Sequence, residues 1–328
     1  MKATAIANSN TALVKYWGKA NSELKTPLNN SISLTIDSHW TKCTLEFSEE
    51  YKEDHATLNG EAVSGKILER TSKHLDYIRK LAGIDLKAKG AAEINFPVGA
   101  GLASSASGFA SLTVAACTAL GMKLAKKELS IISRNGSGSS CRSIYGGYVE
   151  WLAGKTDKDS YSVQIADEKH FDLRDISVIV SKKPRKVDTR GGMDIAQKTS
   201  VLFDARMKAV KEITLPKIRQ AILDKDFSTV GKMAELDSNM LHATAITSTP
   251  ILLYWQPETL EAMHAVRDWR EDGLEAYYTT DTGANVHILC LPKDQPEILK
   301  RLKEMPVVQK ATPGKPGEGA KVVKEHLF

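Results

Sequence analysis

Apolar and polar residues alternate along Ser31 to Ile36 and again along Thr41 to Phe47, the period-two pattern of strands with one buried face. A shorter β-like run covers Ala91 to Phe96. From Ile67 to Leu81 the apolar positions recur at helical spacing, which predicts an amphipathic helix. From Gly108 to Leu120 nearly every residue is apolar or small, which predicts a buried one. Glu128 to Arg134 predicts a short helix ahead of a loop at Gly136. Up to Leu173 the chain therefore reads as mixed helix and strand. Beyond it, the β-branched run Ile176 to Val180 predicts a central strand, and Lys186 to Met193 a polar loop. Ile195 to Leu223 reads as helical with a break near Pro216. Further helices are predicted over Phe227 to Ala243 and Pro257 to Asp272. Strands over Ala276 to Thr280 and Val286 to Leu291 flank a loop at Asp281. A Pro/Gly loop, Gly314 to Gly319, precedes a last strand. Helices alternating with strands in this half predict a split βαβ, ferredoxin-like layout. With 328 residues, the chain is expected to form two α+β domains, 1–180 and 181–328.

One junction carries chemistry. Pro97-Val98-Gly99-Ala100-Gly101-Leu102-Ala103-Ser104-Ser105-Ala106-Ser107 joins a predicted strand to the predicted buried helix. Glycines let backbone approach an anion closely, and the first N–H groups of a helix point at it. Serine hydroxyls add donors and can reach a metal ion. No Gly-Lys-Ser/Thr closes the run, so it is not a Walker A loop. By itself it is also compatible with a tight turn leading into a capped helix.

Three further segments narrow the choice: Asn10-Thr11-Ala12-Leu13-Val14-Lys15-Tyr16-Trp17-Gly18-Lys19, Gly136-Ser137-Gly138-Ser139-Ser140-Cys141-Arg142, and Thr280-Asp281-Thr282-Gly283-Ala284-Asn285. Taken alone, Asp281 is compatible with a turn residue, Lys15 with a snorkelling edge lysine, and Arg142 with a surface ion pair at a helix start. Together with the Gly/Ser run, and in this order, the segments resemble the diphosphomevalonate decarboxylase family of the GHMP kinase superfamily. The resemblance extends from Asn10 to Asn285. It implies a two-lobed fold with an N-terminal lobe like domain 2 of ribosomal protein S5 and a ferredoxin-like C-terminal lobe. It also implies a catalytic triad of Asp281, Lys15 and Arg142. In it the aspartate orients and deprotonates a tertiary alcohol, and the arginine grips the substrate carboxylate bidentately. Substrate contacts are implied for Tyr16, Trp17, Gly18, Lys19 and Arg70, for Ser137, Gly138, Ser139, Ser140 and Cys141, and for Thr189, Arg190 and Met193. ATP phosphates are assigned to Gly99, Ala100, Gly101, Leu102, Ala103, Ser104 and Ser105. Ser104 is the candidate γ-phosphate contact and the protein's contact to Mg²⁺, which phosphate oxygens and water otherwise hold. The loop departs from the family's Asp-Ala-Gly-Pro-Asn at Thr282 and Ala284, and loss of the proline at Ala284 is expected to loosen it.

Composition fits this picture and removes others. The chain is 42% hydrophobic and 26% charged, with a net charge of +5. There is no basic stripe interleaved with aromatics, so nucleic acid is not the expected partner. No run approaches the ~20 apolar residues of a membrane span, and the N-terminus lacks a signal peptide's apolar core. A cytoplasmic location is expected, and the resemblance implies a homodimer. The four cysteines have no metal or disulfide spacing, and Cys141 reads as a packing residue. Gathering Lys19, Arg70, Arg142 and Arg190 in one pocket asks for a polyanionic ligand. The implied reaction converts mevalonate 5-diphosphate and ATP to isopentenyl diphosphate, CO₂, ADP and phosphate. A phosphomevalonate decarboxylase shares the triad, and Lys19 and Arg190 favour the diphosphate over it. A mevalonate 3-kinase would lack the Asp/Lys pair, and a non-catalytic binder would need neither Asp281 nor Arg142.

Overall fold

The computed structural model describes residues 1–97, 103–183 and 187–328. The first part of the chain builds β1 (Lys2–Ala12), β2 (Lys19–Asn21), β3 (Thr26–Pro27), β4 (Ser31–Ser48), β5 (His55–Leu58), β6 (Glu61–Ala62), α1 (Gly65–Ala82) and β7 (Lys87–Ile94). It continues with α2 (Ser104–Ala119), α3 (Lys126–Gly136), α4 (Ser140–Ser143), β8 (Tyr148–Trp151) and β9 (Ser162–Ala166). The second part holds β10 (Arg174–Ile179), α5 (Thr189–Thr199), α6 (Phe203–Ala209), α7 (Leu215–Asp224), α8 (Phe227–Ile246) and α9 (Pro257–Glu271). It ends with β11 (Ala276–Thr280), β12 (Val286–Cys290), α10 (Gln295–Glu304), β13 (Lys310–Gly314) and β14 (Lys321–Val323).

Eight strands form one mixed sheet in the order β14-β1-β4-β7-β5-β6, with β8 on β4 and β9 on β8. The two strands predicted between Ser31 and Phe47 are one strand. β1 runs alongside both halves, and the polar residues 37–39 are accommodated by a register shift opposite Asn8 and Ser9. Ala3, Ala5 and Ala7 of β1 are buried beneath α2, whose Ala110, Ala115 and Ala116 are fully enclosed. Small side chains on both elements let the helix lie close to the sheet, and Leu45, Phe47, Leu75 and Ile78 fill the remaining space.

Four antiparallel strands form the second sheet in the order β11-β12-β10-β13. Read in chain order, strand–helices–strand–strand–helix–strand gives the ferredoxin-like arrangement expected. α8 and α9 pack on it, and Trp269, Val266 and Met263 meet Ile176, Ile288 and Tyr278 there. A further core unites the two lobes, with Leu13, Val14, Leu34 and Tyr148 against Ile218, Phe227, Tyr277 and Leu289.

A division of the chain at residue 180 is crossed in both directions. β10 precedes it yet pairs with β12 and β13, whereas β14 returns to pair with β1. The return passes so close to Gly146 that a Cβ there would lie 2.7 Å from the Gly319 nitrogen. Two local expectations are corrected. The loop predicted over Lys186 to Met193 is helical from Thr189, because Asp188 caps α5 by accepting from the Gly191 N–H at 2.7 Å. Pro216 does not break its helix. It sits in the first turn of α7, where no donor is missed, and a short π-helical stretch joins α6 to α7. The break falls instead at residues 200–202. Among the described residues no helix is long and apolar enough to cross a membrane.

Candidate active site

A cleft of about 760 Å³ lies between the lobes, bordered by the segment after β1, the first turns of α1 and α2, the loop after α3, α5, and the loop between β11 and β12. At its floor the Lys15 Nζ donates to Asp281 Oδ1 at 2.8 Å. Lys15 is 2% exposed and the Asp281 side chain 24%, so the pair is sealed behind and open to the cleft in front. Burial raises the Asp281 pKa. The Lys15 charge, His287, the Lys15 hydrogen bond and Arg142 outweigh it and hold the carboxyl below its ordinary value. His287 is the partner of buried Asp175, its Nδ1 2.9 Å from Asp175 Oδ1.

The backbone around Lys15 is clamped. Its N–H donates to Asp237 Oδ2 at 2.6 Å, while its carbonyl accepts from Asn29 Nδ2 at 3.2 Å and Arg206 Nη2 at 3.3 Å. Arg206 lies 3.7 Å from Asp237, and both are buried. The Asp281 loop is equally fixed. The Gly283 N–H closes a turn on the Asp281 carbonyl at 2.8 Å, and Thr259 Oγ1 donates to the Ala284 carbonyl at 2.6 Å. Asn285 Oδ1 accepts from the N–H groups of Val180 and Ser181. Ala284 therefore does not loosen the loop. Thr282 ties it to α5 through a 2.6 Å contact between its hydroxyl and that of Thr189.

Arg142 is 3% exposed on the short helix α4. Its Nε and Nη2 donate to Asn10 Oδ1 at 3.3 and 3.0 Å, and its Nη1 donates to Ser31 Oγ at 2.7 Å. Asn10 Nδ2 in turn donates to Ser143 Oγ at 2.8 Å. The guanidinium is thus set in one plane by bonds to neutral acceptors, and the charge of Asp281 acts on it. A planar cation held this way can receive a carboxylate by its fork.

Tyr16, Trp17, Lys19, Arg70, Ser137, Gly138, Ser139, Thr189, Arg190 and Met193 all border the cleft. Tyr16 packs edge-on against Trp151, and Gly138 allows it, since a Cβ there would lie 2.8 Å from the Tyr16 ring. Burial pushes the Tyr16 phenol up, so it stays a neutral donor. Lys19 is already paired, its Nζ 2.7 Å from Asp194 Oδ1. Gly18, Ser140 and Cys141 do not border the cleft. Gly18 packs against Phe203 and Leu28, and Ser140 donates to the carbonyls of Ser133 and Ser137. The Cys141 thiol is buried on the Gly138 carbonyl, and burial pushes it up to about 11. These three shape the loop's backbone.

At the other end stand Ala103, Ser104 and Ser105. Gly99, Ala100, Gly101 and Leu102 lie outside the described residues. Ala103 precedes α2 in a left-handed conformation, φ 51°, and no side chain caps the helix. Its first turn carries no acidic residue, so its N–H groups are fit to meet phosphate oxygens. Ser105 Oγ lies 3.1 Å from Ser137 Oγ, joining the two serine loops. An apolar cavity of about 240 Å³ adjoins Ser104 and Ser105, walled by Leu45, Val63, Ile67 and Phe109. No cluster of three or more His, Cys, Asp or Glu side chains suited to a metal occurs among the described residues.

The motifs did not disclose Asn29, Ser31, Arg206 and Asp237, which hold the triad, nor Lys25, Lys66 and Lys73, which border the cleft. Asn10 stood in a quoted motif without a role. The remainder come from distant segments, and only folding brings them together.

Comparison with known proteins agrees with this geometry. Residues 7–162 match the diphosphomevalonate decarboxylase-like N-terminal domain, and residues 176–324 match the mevalonate 5-diphosphate decarboxylase C-terminal domain. A phosphomevalonate decarboxylase of Haloferax volcanii is 36% identical over 289 residues, 88% of each chain. The crystal structure of mevalonate diphosphate decarboxylase from Staphylococcus aureus superposes with a TM-score of 0.94 at 38% identity, covering 98% of each chain. A protein designated MDDEF, in complex with MVAPP, AMPPCP and magnesium, matches with a TM-score of 0.94 at 34% identity over 99% of each chain. With both lobes matched, and the Asp281–Lys15 pair and Arg142 lining the cleft between them, the chain belongs to the diphosphomevalonate decarboxylase family.

Proposed function

We propose that this protein catalyses ATP-dependent decarboxylation of mevalonate 5-diphosphate to isopentenyl diphosphate. The observation that carries the reading is the 2.8 Å Lys15–Asp281 pair, open to a cleft that also holds Arg142 and a group of cations. Asp281, kept ionised, takes the proton of the substrate's tertiary alcohol, and the alkoxide oxygen attacks the γ-phosphorus of ATP as ADP leaves. The new phosphate ester departs with its bonding electrons and takes up the proton held by Asp281, so that positive charge develops on the carbon beside the restored Asp281 carboxylate. The carboxylate's C–C bond then supplies the electrons of the double bond and CO₂ is released. Arg142 holds that carboxylate in line through the two N–H groups that Asn10 and Ser31 leave over. Atoms balance as isopentenyl diphosphate, CO₂, ADP and phosphate.

The triphosphate of ATP fits the uncapped start of α2 beside Ser104 and Ser105, and its base fits the adjoining apolar cavity. The Ser104 hydroxyl suits a Mg²⁺ shared with phosphate oxygens, an ion that offsets triphosphate charge when bound. The absence of a dedicated carboxylate cage among the described residues agrees with such a substrate-borne ion. Mg²⁺ contact at Ser104 and the substrate contacts of the cleft residues are part of this proposal.

Parallel measurement of ADP and CO₂ with mevalonate 5-diphosphate and mevalonate 5-phosphate tests it. Equimolar ADP and CO₂, with the diphosphate the better substrate, is the expected result. ADP in large excess over CO₂ on both substrates would mean a kinase. Preference for the monophosphate would place the chain with its Haloferax relative's activity.

A further inference from the structure

We propose that Lys25 is a further phosphate-binding residue of the cleft, joining Arg70 and Arg190, already implied as substrate contacts, at the terminal phosphate of a diphosphate substrate. The inference rests on the reading above for its substrate, and on separate observations for its location. Lys25 lies on the short segment between β2 and β3, Arg70 on α1 and Arg190 on α5. All three reach one acceptor. The Gly136 carbonyl, at the end of α3, accepts from Lys25 Nζ at 3.4 Å, Arg70 Nη2 at 3.3 Å and Arg190 Nη2 at 3.3 Å. Lys25 also donates to the Asn135 carbonyl. The last carbonyls of a helix carry partial negative charge. A single carbonyl, with two lone pairs, is a poor partner for three full cations.

Nothing stronger competes. Among the described residues no carboxylate lies within 4 Å of any of the three, although Lys19 and Arg134 nearby each have one. The Arg70 Nε is buried with no partner. Gly136 fixes the meeting point, because a Cβ there would lie 2.2 Å from the Phe109 ring. Lys66 and Lys73, four and three residues from Arg70, extend the same face of α1 along the cleft. Unpaired cations gathered from three elements in a cleft lie ready for an anion of high charge.

Their crowding has a proton cost. Burial, and after it Arg190, Arg70, Lys73 and Arg134, pull the Lys25 amine down to about 7. Arg70 is pulled to about 10 by burial and Arg190, against Asp188. Arg134 is itself paired with Asp157, so it adds less than its charge suggests. A phosphate seated among them reverses the repulsion, and Lys25 takes up a proton with the anion.

Two measurements test this. The first compares KM for the 5-diphosphate and the 5-phosphate in wild type, Lys25→Met and Lys25→Arg, with folding checked by thermal melting. Lys25→Met should raise KM for the diphosphate about tenfold more than for the monophosphate, and Lys25→Arg should restore most of the loss. Equal rises on both substrates would overturn the assignment and leave Lys25 as a fastener of α3. The second titrates inorganic pyrophosphate calorimetrically at pH 8 in buffers of different ionisation heat. Wild type should take up more protons on binding than Lys25→Met, and identical uptake would overturn the proposal. Pyrophosphate requires no turnover, so a subsite for it can stand or fall separately from the decarboxylation itself.

Discussion

Replacing Asp281 by asparagine isolates the charge at the centre of the cleft. The amide keeps the shape and one acceptor oxygen for the Lys15 ammonium, now 2.8 Å away. It cannot take the alcohol's proton or steady a developing cation. General-base catalysis is worth about 10²- to 10⁴-fold. With the electrostatic contribution of the same carboxylate added, turnover should fall by roughly 10³-fold or more, about 4 kcal/mol of barrier. There is a structural cost as well. Lys15 is 2% exposed, and its ion-pair partner among the described residues is Asp281. Outright loss of a buried pair's partner costs about 3–5 kcal/mol. With an amide oxygen still accepting, about 1–3 kcal/mol is the fitting scale. The assay follows ADP and CO₂ at saturating substrates, alongside denaturant unfolding and the affinity for a non-hydrolysable ATP analogue. Nucleotide affinity should change little, since the α2 start and the apolar cavity are untouched. A Lys15→Met companion and the double variant should show no further loss beyond Asp281→Asn, because the pair acts as a unit. Turnover of Asp281→Asn within tenfold of wild type would refute the assignment, as would a loss matched by equal weakening of nucleotide binding.

Arg142→Lys keeps a charge but satisfies one of the bonds to Asn10 and Ser31 rather than three, so we expect weaker substrate binding and slower turnover with CO₂ still equal to ADP. ADP released in excess by this variant, but not by wild type, would show that Arg142 controls the decarboxylation step itself. Stability should respond to pH through Lys25, whose folded-state pKa is lowered to about 7. Above that value and up to the ordinary lysine range the unfolded chain holds a proton that the folded one has released. The anion-free protein should therefore gain stability from pH 7 towards pH 9 and lose that gain as pH falls back to 7. Denaturant midpoints of wild type and Lys25→Met decide this, and an unchanged slope in the variant contradicts it.

The features legible in the sequence were those written in local patterns. The all-apolar run at Gly108 to Leu120 could only be a buried helix, and the strands around Asp281 announced themselves by β-branched and aromatic residues. Lys15, Arg142 and Asp281 were found because each stands in a motif. The polar run Lys186 to Met193 reads as a loop, and its two glycines hide the helix that starts at Thr189. Its helix start was signalled by Asp188, and Gly192 is there because a Cβ would lie 1.9 Å from the Tyr254 hydroxyl. The single strand from Ser31 to Ser48 was hidden by its polar middle, which makes sense only beside β1. Lys25, Asn29, Arg206 and Asp237 carried no signal at all. A lysine at a polar turn looks solvated, and nothing local tells that two arginines from other helices will arrive beside it.

The return of the chain to its first strand has a consequence for the order in which the molecule can be completed. Thr4 pairs with Val323, and Asn8 Nδ2 donates to the Glu318 carbonyl across 310 residues. During synthesis at about 5–20 residues per second, β1 waits tens of seconds for this partner. Until then residues 4–6 of this eleven-residue strand have one edge of unpaired N–H and C=O groups. The nascent first lobe is therefore open to wrong pairing along that stretch until residues 321–323 dock.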